Sequence, residues 1–144
     1  MSESPIPAHS QHPPRTLELG RVVVTASCLR RLTIDDEPAV LVQMRDITPL
    51  LHRHASGDWG DIATDDVGLN EQALEYGSRL LSVYDVRGVK VWIITDAASD
   101  ACAACWTGVG RCEPEKGTWH GDIHFRDDLP PRRLSTTVLL PEDY

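Results

Sequence analysis

Apolar and polar positions change their period several times along the chain, and each change marks an element. Val22, Val23 and Val24 form a short β-branched run with the composition of a strand. Thr25 follows with a capping oxygen for a short helix over residues 26–32. Residues 33–38 (TIDDEP) are turn formers, and the apolar run over 39–47 fits a helix or a strand equally. Thr48 before Pro49 is a helix-start signal, because threonine offers a cap and proline suits the first helical position; Gly57 would end that helix. Gly57-Asp58-Trp59-Gly60-Asp61 brackets an aromatic with glycines and reads as a tight loop. Asn70 is expected to cap a helix over 71–76, with Leu69 and Leu74 stapling its start and Gly77 at its exit. Residues 79–85 and 89–95 are β-rich and joined by Val86-Arg87-Gly88, which predicts an antiparallel hairpin. Residues 136–140 (TTVLL) make a last strand before Pro141.

This order predicts an α+β fold: a strand, short helices packed on a small antiparallel sheet, and a three-stranded meander. The elements alternate too little for parallel βαβ winding. A chain of 144 residues with 41% hydrophobic content suits a single domain, over residues 17–144. Residues 1–16 hold four of the ten prolines and no apolar period, so they are expected to be a disordered leader. Residues 97–133, between the last two strands, far exceed an ordinary hairpin loop and form an insertion.

Charge narrows the partners. Twenty-two acids against 14 bases leave −8, which disfavours direct binding to nucleic acid or anionic membrane and favours a basic protein surface. No apolar stretch approaches the roughly 20 residues of a membrane span. The opening Met1-Ser2-Glu3-Ser4-Pro5 lacks a signal peptide's basic and apolar regions, so a cytoplasmic location is expected.

The insertion holds the densest chemistry. Cys102-x2-Cys105, Cys112 and His120-x3-His124 supply five candidates for the four tetrahedral places of zinc, so one histidine is spare. Structural zinc on Cys102, Cys105, Cys112 and one of His120 or His124 is the expected cofactor. Free or redox-active thiols and a catalytic metal are the alternatives. A structural zinc is closed by four protein ligands, so the module does not imply a hydrolase.

The run Arg53-His54-x-x-Gly57-Asp58-Trp59-Gly60-Asp61 is followed by Asp66, Asn70, Ala73-Leu74 and Gly77-x-Arg79-Leu80-Leu81-Ser82-x-Tyr84. Trp92-Ile93-Ile94-Thr95 and the ending TTVLLPEDY over 136–144 complete the pattern. Together these pieces resemble the plasmid-related proteins, a family of small proteins of plasmids and integrative elements often labelled a type I restriction subunit. The resemblance runs from about Leu19 to the C-terminus, outside the insertion, and implies a protein of a mobile element. In that family a short turn of the type Thr-Glu-Ala-Asp-Arg-Ser joins the last two strands. Here Thr95-Asp96-Ala97 leads into the insertion, with Asp96 at the place of the glutamate and Arg133 at that of the arginine.

Three functional expectations follow. Between Arg53 and Arg79 there is no lysine or arginine, while Asp58, Asp61, Asp65, Asp66, Glu71 and Glu75 carry six negative charges beside Trp59. Such a surface could occupy the basic channel of a host defence nuclease, so the first expectation is a non-enzymatic interaction protein acting against restriction or CRISPR defence. The second is a small metal-independent ribonuclease-like enzyme. In it His54 would be general acid or base, Asp58 would orient it and Arg53 would hold phosphate, with Ser82, Tyr84, Thr136 and Thr137 on neighbouring strands. Against this, His54 could pack the helix end, Asp58 cap the turn and Trp59 anchor the loop. The third is a zinc-stabilised binding module.

Overall fold

In chain order the computed structural model contains β1 (Arg21–Val24), α1 (Ala26–Leu32), α2 (Ala39–Val42), a π-helical turn (Gln43–Ile47), α3 (Thr48–Ala55) and α4 (Thr64–Tyr76). Then come β2 (Leu80–Val86), β3 (Val89–Thr95), α5 (Ala103–Thr107), β4 (Thr118–His120), β5 (Ile123–Phe125), β6 (Ser135–Leu139) and a closing 3₁₀ turn (Pro141–Asp143). The structure describes residues 17–108 and 110–144. The leader expected at 1–16 lies outside the described residues.

The fold is α+β. β2, β3 and β6 form the expected antiparallel meander, in the sheet order β1-β6-β3-β2. β1 joins parallel to β6, with Val22 opposite Thr136 and Val24 opposite Val138. The sheet is thus antiparallel-dominated, with one parallel edge pair; the long route from β1 to β6 lets the first strand arrive in either direction. Arg87 and Gly88, both at positive φ, make the tight β2–β3 turn, whose twist matches that of the strands it joins. Thr25 caps α1 as expected, its Oγ1 accepting from the Cys28 amide at 3.3 Å.

The ambiguous 39–47 run is helical. It passes through the π-helical turn directly into α3, and the Thr48 amide bonds the Gln43 carbonyl five residues back. Thr48 therefore lies inside a continuous helix and caps nothing. The wider turn already omits bonds from the regular ladder, so the missing N–H of Pro49 is accommodated there.

α4 is longer than the residues 71–76 expected. It starts after Ala63, with Asp65 and Asp66 in the first turn where carboxylates favour the helix dipole. Asn70 is therefore an interior, buried residue rather than a cap, and Leu69 is exposed rather than a staple. The amide side chain is used elsewhere: Nδ2 donates to the Leu81 carbonyl at 2.7 Å and Oδ1 accepts from the Leu81 amide at 3.2 Å. Gly77 ends the helix in the left-handed conformation, as expected.

The main core joins Cys28, Leu32, Val42, Ile47 and Leu50 from the helices to Tyr84, Val91, Ile93 and Val138 from the sheet. A smaller core gathers Trp59, Ala73 and Leu80. At the end of the sheet, the insertion folds as α5 and the β4–β5 hairpin, rooted where Ser99 bridges Arg132. No helix among the described residues is long and apolar enough to cross a membrane.

Candidate metal centre and the clasp around His54

The backbone of the insertion brings its thiols together. Cys102 caps α5 and Cys105 follows one turn later, so both sulfurs project from one helix start. The Cys102 amide donates to the His124 carbonyl at 2.8 Å, which pins β5 beside α5. Gly117 closes the intervening loop onto β5 at φ +75°; a Cβ there would lie 2.0 Å from the Phe125 carbonyl oxygen, so only glycine fits.

Donor atoms of Cys102, Cys105, Cys112 and His124 consequently lie within 4.8 Å of one another. The Cys105 and Cys112 sulfurs are 3.4 Å apart, and Cys112 Sγ lies 3.3 Å from His124 Nδ1. None of these cysteines is in a disulfide. His124 Nε2–H donates to the Lys116 carbonyl at 2.5 Å, which turns Nδ1 toward the thiols, and the Trp119 indole stacks on the imidazole at 4.4 Å. A ligand histidine held through its other nitrogen is the usual outer support of a metal site. The four residues are close enough to hold a metal ion. His120, the other candidate, is exposed and packs its ring against Phe125 outside the cluster. Burial opposes ionisation of Cys102, yet the hydrogen bonds around it, those of Cys105 first, outweigh it and bring the thiol down to about 7. The hydrogen bond with Cys105, aided by burial, moves Cys112 the other way.

His54 presents a different environment. Its side chain is fully buried, with Nδ1 2.5 Å from Ser82 Oγ and Nε2 2.8 Å from Thr95 Oγ1. Thr95 Oγ1 is 2.7 Å from Thr136 Oγ1, which donates to the Leu19 carbonyl at 2.7 Å. One proton per hydroxyl fixes the direction of the chain. Thr136 donates to Leu19, so it accepts from Thr95; Thr95 accepts from His54 Nε2–H; and Nδ1 accepts from Ser82. The imidazole is thus neutral and tautomerically defined. Burial, with the Arg133 charge in support, pushes it down to about 4. Thr137, one residue beyond Thr136 on β6, takes the opposite face of the sheet.

Arg53 and Asp58 lie outside this chain. Arg53 Nε donates to Asp58 Oδ2 at 2.7 Å, and its guanidinium covers the Tyr84 ring at 4.6 Å. Tyr84 in turn donates to the Asp58 carbonyl at 2.6 Å. Trp59 is buried edge-on to His54 and donates to Glu71 at 3.1 Å. The Trp59 carbonyl and Asp61 amide bond both outer groups of Val83 at 3.1 and 2.7 Å, while Asn70 takes those of Leu81. The motif around His54 is therefore a clasp that closes the free edge of β2, the edge that would otherwise template foreign strands. Of the acidic candidates, Asp58 and Glu71 are engaged within the clasp. Asp61, Asp65 and Glu75 are exposed and Asp66 is half-buried; none of the four has an ion-pair partner among the described residues.

Two buried charged groups take structural roles that the sequence does not indicate. Arg133 donates to the carbonyls of Ala73, Ser78 and Asp96 at 2.7, 2.7 and 3.1 Å, tying α4 to the root of the insertion. Asp46 accepts from both Arg45 and Arg87, and a lone carboxylate within the apolar 39–47 run was the only signal of it. Comparison of the chain with family models, curated proteins and solved structures finds no match.

Proposed function

We propose that the protein is a non-enzymatic interaction protein whose insertion is held by one structural zinc ion. The observation that carries this reading is the closed donor set of Cys102, Cys105, Cys112 and His124. Three sulfurs and one imidazole suit zinc, and four protein donors leave no position at which a metal-bound water could act. The burial of His54 and the pairing of Arg53 with Asp58 support the non-enzymatic side, since His54, Ser82, Arg53 and Asp58 are each engaged by an internal partner.

The net charge of −8 and the exposed Asp61, Asp65 and Glu75, with the half-buried Asp66 among them, favour a basic protein as partner. The resemblance to plasmid-related proteins supplies the setting: a mobile element's protein meeting the basic surface of a host restriction or CRISPR complex. Affinity purification from the natural host, followed by intact-mass analysis, tests partner and metal together. The expected result is a stoichiometric complex with a basic protein that dissociates as salt rises, the chain carrying one zinc. Recovery of the chain alone would overturn the reading.

A further inference from the structure

The start of the long helix leaves an apolar face uncovered. Val40, Leu41 and Met44, spaced three and four residues apart, share one side of the helix and are 54, 47 and 67% exposed. Val42 and Ile47 occupy the opposite, core side. The turn that precedes this helix adds Ile34, 41% exposed, and the Glu37–Arg45 pair at 2.6 Å holds turn and helix together. Clustered large apolar side chains of this kind, unlike singly scattered ones, mark interaction sites.

Charge at the same place is uneven. Glu37 and Asp46 are neutralised by Arg45 and Arg87. Asp35 and Asp36 are exposed, have no ion-pair partner among the described residues, and hold consecutive left-handed backbones at φ 52° and 54°. The apolar face is thus bordered by two unbalanced negative charges.

We infer that residues 34–44 form the docking surface for a cationic amphipathic helix of a partner protein. This rests on the interaction reading above and names the surface that reading needs. The apolar side chains follow the i, i+1, i+4 spacing along which a partner helix packs, and the methionine adapts to its shape. Lysines or arginines flanking the partner's apolar stripe would meet Asp35 and Asp36. A second copy of this chain fits poorly, because its matching apolar face is bordered by aspartates and brings no unpaired cation to Asp35 and Asp36.

The test uses the full zinc-loaded chain and a fluorescent amphipathic helix of about 18 leucines and lysines, with a matched peptide carrying glutamate for lysine. The lysine peptide should bind, the glutamate peptide should not, and amide-exchange protection should fall on residues 34–44. Leu41→Gln with Met44→Gln should weaken binding at least about tenfold, as should Asp35→Lys with Asp36→Lys at low salt. Leu69→Gln, at an exposed leucine of α4, should leave it unchanged. Protection elsewhere, or equal binding by the Leu41/Met44 variant, would overturn the surface. So would a dimer in solution that the same variant dissociates, which would make a second copy the occupant. A basic host partner that copurifies equally with the Leu41/Met44 variant would overturn this surface while leaving the interaction reading intact; failure of both proteins to retain any partner would count against that reading itself.

Discussion

His54 Nδ1 and Ser82 Oγ meet 2.5 Å apart, both side chains sealed from solvent, and this contact joins α3 to β2. Its pH dependence is specific. The folded chain holds His54 at about 4 against 6.5 for the ordinary imidazole, so the unfolded state takes up the proton first as pH falls. Stability from this group is complete above pH 6.5 and declines down to about pH 4, by about 3 kcal/mol in all. Denaturant titrations across that window should show the loss in the wild type and not in His54→Gln. Asp46 is held near 2, chiefly by Arg87, so its loss falls at lower pH and does not blur the result. An unchanged slope in the variant would contradict the assignment.

Gly60 is the second test of the clasp. A Cβ there would lie 2.0 Å from the Val83 carbonyl oxygen and 2.7 Å from the Tyr84 ring, at φ +72°. Gly60→Ala should therefore cost more than about 2 kcal/mol, combining left-handed strain with the clash. Gly88→Ala, at φ +84° but in open space, should cost about 1 kcal/mol from strain alone. Equal midpoints for the two variants in urea would show that the edge of β2 is not closed in this way.

Asn70→Ala removes two hydrogen bonds from Leu81 and should destabilise the domain by about 1–3 kcal/mol. Its local signature is faster amide exchange at Leu81. Loss of protection confined to the first turn of α4 would instead indicate a helix-capping role.

Charge reversal must respect the helix. Asp65 and Asp66 sit in the first turn of α4, so lysine at either should lower stability by about 0.3–1 kcal/mol through the dipole alone. Asp61→Lys with Glu75→Lys changes exposed charges away from that turn. It should leave the melting temperature nearly unchanged while slowing association with a basic partner, as stopped-flow measurements would report.

Local chemistry explains which elements were legible. Thr25, the Arg87-Gly88 turn and Gly77 act through their own or adjacent backbone, so their meaning is written within a few residues. Asn70 departs from the expected cap because its side chain serves Leu81, eleven positions away, and capping propensity describes only the local alternative. The parallel meeting of β1 with β6 and the burial of Arg133 depend on contacts made across the whole domain. In the insertion, the two-residue cysteine gap was readable as a ligand pair, but the choice of His124 over His120 was not. Strand alternation decides it: Trp119 and His124 face each other across the β4–β5 hairpin, while His120 pairs with Ile123. Likewise the motif around His54 was visible as a unit, and its role emerged only when β2 supplied Ser82, Val83 and Tyr84.

Native mass spectrometry of the purified chain tests the metal centre most directly. One zinc per chain is expected, with Cys102, Cys105 and Cys112 resisting alkylation until a chelator is added. His124→Ala should lose the ion and His120→Ala should keep it. A metal-free chain with three rapidly alkylated thiols, or retention of zinc by His124→Ala, would contradict the account.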